Sequence, residues 1–301
     1  METIIMQVFN GISLSSILLL AAIGLAITFG LMGVINMAHG EFMMIGAYTA
    51  CVVQNVFLGI ADGAAFGAYV PVAIVASFVV AAALGLVLEK LVICRLYGRT
   101  EDSLLVTWGV SLILQQAARN IFGASNVGVE VPGYMMGSLQ IGNVYLPYTR
   151  IWILVIAVVA IVAVYVLMFR TRWGRNIRAV MQNREMASSL GVNTRRVDGV
   201  TFAFGCGLAG LAGCTLTWIG LIGSSLGQDY IVNAFMTVVC GGVGSIFGSV
   251  FGAGFIGIGQ SAFEFATDAS MGQVLIFVCI VILLQFKPKG LFETHNRSLE
   301  D

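Results

Sequence analysis

Apolar runs of spanning length alternate with short polar connectors along almost the whole chain. Ile4 to Leu31 is apolar, and Met32 to Phe57 follows with scarcely a break. Phe66 to Leu88, Leu104 to Ile121, Ile151 to Phe169 and Phe202 to Ile222 repeat the pattern. Ile231 to Phe265 is glycine-rich and can supply two short crossings, and Met271 to Phe286 closes the series. A bilayer core needs about 20 apolar residues per helix, so the pattern predicts an all-α, polytopic helical bundle of the inner membrane. About eight or nine crossings are expected, some broken or re-entrant, within one transmembrane domain over 1–301.

Charge orients the pattern. Seven of the 15 Lys and Arg residues fall between Phe169 and Val200: Arg170, Arg172, Arg175, Arg178, Arg184, Arg195 and Arg196. Lys and Arg accumulate on the inner side, so a loop at about 170–198 should be cytoplasmic. Lys287 and Lys289 place the C-terminus on that side, and Phe122–Thr149, without Lys or Arg, reads as the outer loop. The same count places the N-terminus outside, in a region with no Lys or Arg before Lys90.

Composition agrees. The chain has 301 residues, 58% hydrophobic and 10% charged, with a net charge of zero. A soluble domain carries about 25% charged residues. There is no basic excess to argue for nucleic acid. The cysteines Cys51, Cys94, Cys206, Cys214, Cys240 and Cys279 are scattered without a CxxC and read as small apolar residues. No cofactor is implied.

Two interrupted segments occupy matching places in the two halves, 30–46 and 241–259. Such a pair points to an inverted repeat with a midplane pathway between the halves. In the first lie Asn36, His39 and Glu41, and a charge at that depth costs about 2.5–3.5 kcal/mol on insertion scales. They are candidate pathway residues, with Gln115 and Asn233. The alternative is that they satisfy backbone groups where a helix breaks at Gly40. His39 and Glu41, two apart, also suggest metal or proton chemistry, but no third ligand is visible.

Gly205, Gly207 and Gly210 spell GxGxxG inside an apolar run, so close helix packing explains them rather than a nucleotide. Gly244, Gly248 and Gly252 form consecutive GxxxG units that put small residues on one helical face. No GxxxxGK[ST] occurs, so this chain does not hydrolyse ATP by a P-loop, and energy for any active transport would come from another subunit or an ion gradient.

Inside the basic island, Glu185, Ala187 and Gly191 resemble the EAA-type loop of ATP-binding-cassette importer permeases, with Met186 in place of an alanine and the usual ending absent. Residues 24–48 and 227–253 resemble the branched-chain amino acid permease family. Residues 104–127, 146–153 and 171–192 resemble its urea-transporting branch. The resemblance implies an importer permease subunit and not an enzyme. It would carry urea or a related small amide, with branched-chain amino acids as the alternative. Its implied partners are a second homologous permease, two ATPase subunits, a periplasmic binding protein and the bilayer. An ion-coupled secondary transporter using His39 and Glu41 is the reading from another class.

The coupling element is expected at about Asn183 to Gly191. Asn183 can cap a short helix, Glu185 suits its first turn, and Gly191 can end it. Met186 and Leu190, four apart, share a face, and Ala187 beside them permits close approach.

Overall fold

The computed structural model describes residues 2–60, 66–97, 99–141, 144–288 and 290–292. Among them the order is α1 (Glu2–Met32), α2 (His39–Ile60), α3 (Tyr69–Leu91), α4 (Thr100–Phe122), the hairpin β1 (Ser138–Ile141) and β2 (Val144–Pro147), α5 (Tyr148–Arg170), α6 (Arg172–Gln182), α7 (Arg184–Ser189), α8 (Thr194–Leu216), α9 (Leu226–Gly241), α10 (Ile246–Ala266) and α11 (Ala269–Phe286). Seven helices, α1, α2, α3, α5, α8, α10 and α11, are long and apolar enough to cross a membrane. The two other expected crossings correspond to α4, whose sequence is more polar, and α9, which has only 16 residues. Lys289 and the tail 293–301 lie outside the described residues.

α1 is apolar all round and forms the axis of the bundle. Its residues Ile17 to Ile23 are buried without interruption. α5 and α11 instead leave Val158, Val159, Val162, Val278 and Ile282 exposed on their outer faces. In a bilayer the attraction between helices comes from contact packing, so small residues mark the seams. Gly205 on α8 touches α1, where a Cβ would lie 2.8 Å from the Gly24 carbonyl oxygen. Gly207 faces the Phe78 ring of α3, and Gly210 faces the Ser77 carbonyl of α3. The GxGxxG match is therefore a packing seam.

Three boundaries differ from the sequence expectation. The segment 122–149, expected as the outer loop, carries an antiparallel hairpin that pairs Ser138 with Pro147 and Ile141 with Val144. Its strands are only four residues each, too short for periodicity to register. α8 begins at Thr194, within the basic island, because the Asn193 side chain accepts from Arg196 N at 3.1 Å and caps it there. The GxxxG pair is not one helical face. Gly244 lies in the connector before α10 with φ +85°, a left-handed conformation that helix cannot contain. Gly248 and Gly252 remain on α10 and pack on Gly241 and Thr237 of α9.

The two interrupted segments meet. α1 ends at Met32 and α2 starts at His39, and α9 and α10 are likewise separated at Gly242–Ser245. A Cβ at Gly30 would overlap the backbone of Gly244. The last turn of α1 thus touches the break between α9 and α10.

Candidate functional site

The first cluster forms at the break between α1 and α2. Asn36 is buried, and its Oδ1 accepts from Ala38 N at 3.1 Å, which turns the chain into α2. Met37 N donates to Thr107 Oγ1 of α4 at 3.0 Å. Glu41, in the first turn of α2, is 1% exposed. Its Oε1 accepts from Ser111 Oγ at 2.9 Å and from Gln115 Nε2 at 2.8 Å, both on α4. Its Oε2 has no hydrogen-bond partner and faces Gly227 at the start of α9. A Cβ at Gly227 would sit 2.6 Å from that oxygen. One carboxylate therefore joins α2, α4 and α9.

α4 reverses the usual arrangement for a soluble helix. Ser103, Thr107, Ser111 and Gln115 recur every four residues on its buried face. Leu105, Leu112, Ile113 and Ile121 are exposed on the other. At its far end Arg119 Nε donates to Ser224 Oγ at 2.9 Å. Hydrogen bonds with Met37, Glu41 and Ser224 tie α4 to the rest of the bundle, alongside the stacked Tyr48 and Phe122 rings at 4.2 Å. Gln115 was legible as a candidate. Ser103, Thr107 and Ser111 were not singled out, although their spacing of four is the signal that finds them.

His39 does not join this cluster. Its Nε2 lies 3.1 Å from the Ala21 carbonyl of α1, and its ring packs against Gly24. Residues two apart on a helix point about 200° away from each other. His39 therefore faces α1 while Glu41 faces α4 and α9, so the proton or metal pair suggested by their spacing does not form. No group of three or more His, Cys, Asp or Glu able to hold a metal occurs among the described residues. Asn233 is buried on α9 with its Oδ1 unpartnered.

The second cluster is the basic island. α6 opens with Thr171 capping Gly174 N at 3.1 Å, and the Arg178 guanidinium donates to the last-turn carbonyl of Met168 and stacks over Phe169. α7 is then closed at both ends. Asn183 Oδ1 accepts from Met186 N at 2.9 Å. At the other end Val192 N donates to Ala187 O and Gly191 N to Ser188 O, each at 3.0 Å, with Gly191 at φ +86°. That is the glycine-terminated double hydrogen bond of a helix end. Met186 and Leu190 point outward, 61% and 79% exposed. Ala187 differs from the expectation. It is 2% exposed and faces inward, because one position along a helix turns about 100° away from Met186.

Arg184, the first residue of α7, pairs with the buried Asp198 of α8 and stacks over the Tyr97 ring at 5.0 Å. Tyr97 donates its hydroxyl to Glu89 Oε1 of α3 at 3.0 Å. Burial, then the Glu89 carboxylate, pushes the Tyr97 phenol far up, so it remains a donor. This chain ties α7 to the ends of α3 and α8. Glu89 and Tyr97 lie some 90 residues before Arg184, so nothing in the local sequence connects them to it.

The model of the family described as "Branched-chain amino acid transport system / permease component" matches residues 7–284. The LivH high-affinity branched-chain amino acid permease protein of Escherichia coli K12 is 30% identical, over 95% of this chain and 94% of the relative. BraD of Pseudomonas aeruginosa, with the same description, is 30% identical over the same shares. A probable LivH of Methanocaldococcus jannaschii is 24% identical over 92% and 89%. No solved structure matches. Each of these relatives is described by branched-chain amino acids, so the urea branch expected from 104–127 and 171–192 has no support in them.

Proposed function

Because this chain belongs to the permease-component family of branched-chain amino acid transport systems, we propose that it is the membrane-spanning subunit of an ATP-driven importer for branched-chain amino acids. The observation that carries the coupling half of this reading is α7. It is a six-residue helix closed at both ends, with two large apolar side chains on its outer face and nothing among the described residues covering them. Exposed Met and Leu on a rigid knob suit insertion into a groove on another protein. The proposed occupant of that role is an ATPase subunit, one of two, since this chain holds no P-loop. A second homologous permease and an external binding protein complete the assembly, and the binding protein selects the substrate. The Arg-rich end then faces the cytoplasm and the hairpin the periplasm.

In this reading the route passes beside the first cluster. α4 presents a polar stripe inward, and its hydrogen bonds to α2 can be exchanged for contacts to a passing solute. Glu41 keeps one oxygen free of partners, which suits a substrate ammonium group. Gln115, Asn36 and Asn233 offer amides along the way. His39, lodged against α1, serves as scaffold. Amide-rich routes also suit urea, but a free carboxylate oxygen favours a zwitterion.

The test is isolation of the complex. This chain, expressed with its ATPase, should retain it through purification, and Met186→Asp/Leu190→Asp should release it while the permease still folds. Retention of the ATPase by that variant would remove the coupling role from α7.

A further inference from the structure

A cavity of about 750 Å³ opens at the Arg-rich end of the bundle, between the last turn of α3 and the first turns of α8. Its walls include Lys90, Arg95, Arg184, Arg195 and Arg196. Arg184 is already matched by Asp198. For the other four, no carboxylate stands at ion-pair distance among the described residues. Their combined charge outweighs the single carboxylate in the wall, Glu89, whose Oε1 is occupied by the Tyr97 hydroxyl. Four cations turned toward one concavity repel each other, so the site as it stands calls for an anion.

The rest of the wall says which kind. Leu86 and Val200 line the same cavity. Just outside it, Val87 and Leu91 are exposed on the outward face of α3, the part of the helix a bilayer would cover. A neighbouring cavity of about 460 Å³ shares Asn193, Arg196 and Val200 and is floored by Trp173, a residue type that settles at the headgroup level. A soluble anion needs the cations but not the apolar wall, whereas a lipid needs both. We propose that this cavity binds the headgroup of an anionic phospholipid, with Arg195, Arg196, Lys90 and Arg95 around the phosphate and the acyl chains running along α3. The lipid would sit beside Arg184 and so beside the root of α7. Neither Met186 nor Leu190 lines the cavity, so this site and the α7 docking surface are separable.

The experiment uses the assembled complex in detergent, with phosphatidylglycerol, phosphatidylcholine or inorganic phosphate added. The readouts are thermal unfolding and the lipids retained in native mass spectrometry. Phosphatidylglycerol alone should raise the unfolding temperature of the wild type. Arg195→Lys/Arg196→Lys should keep the response. The triple variant Lys90→Gln/Arg195→Gln/Arg196→Gln should bind on the order of a hundredfold more weakly, at roughly a factor of five per cation. If the triple variant does not fold, Arg195→Gln alone should show a loss of about fivefold. Equal affinity of wild type and glutamine variants for phosphatidylglycerol overturns the proposal. So does stabilisation by inorganic phosphate as strong as that by lipid, which would make this a soluble-anion site. Release of the ATPase by the glutamine variants with lipid affinity unchanged would assign the cavity to the protein interface instead, and also overturns it.

Discussion

The Gln115 amide of α4 donates to Glu41 Oε1 of α2 across 2.8 Å, inside a bundle where both side chains are buried. Removing either partner strands a polar group away from water. Glu41→Ala and Gln115→Leu should each reduce uptake severalfold. Their coupling in a double-mutant cycle of unfolding should be on the order of 1 kcal/mol, as for buried hydrogen bonds between membrane helices. Additive effects would show that the two residues act apart.

Close backbone approach should make some glycines intolerant and leave others free. A Cβ at Gly213 would overlap the Met43 carbonyl, and one at Gly46 would overlap Gly210, whereas at Gly254 it would meet nothing within 4 Å. Gly213→Ala and Gly46→Ala should each cost about 1–3 kcal/mol or prevent accumulation in the membrane. Gly254→Ala should be neutral. Expression level and unfolding temperature of the three variants read this directly.

Gly191 separates conformation from space. Nothing stands within 4 Å of the place its Cβ would take, so only its φ of +86° resists substitution. Gly191→Ala should cost about 1–2 kcal/mol at the end of α7, seen as faster amide exchange there, and should weaken retention of the ATPase. Gly191→Asn, a residue that tolerates the left-handed region, should recover most of the loss. Ala187→Glu should act differently, by forcing a charge into the buried side of the helix.

The arginines predict the sidedness. In a background without the six native cysteines, a cysteine at Ser188 should react only with reagent admitted to the cytoplasm, and one at Ser138 only with reagent outside. The opposite pattern would invert the topology.

The long helices were legible because runs such as Ile151–Phe169 are both apolar and of spanning length, and α7 was legible because Asn183 and Gly191 are strong local signals. What escaped depended on distance in the chain or on direction around a helix. That Ala187 turns inward follows only once the helix is seated on α6 and α8. The divergence of His39 and Glu41 follows from the 100° step, but which neighbours they meet does not. Ser111 and Tyr97 looked ordinary until folding set them against Glu41 and Arg184, 70 and 87 residues away. Gly244 was placed on a helix because spacing alone does not show a left-handed break.

The most direct measurement of the account is ATP hydrolysis by the reconstituted complex of this permease, its partner permease, its ATPases and its binding protein. Leucine, isoleucine or valine should raise the rate and urea should not. Met186→Asp/Leu190→Asp in α7 should abolish the rise. Stimulation by urea and not by the branched-chain amino acids would contradict the substrate, and full stimulation of the α7 variant would contradict the coupling.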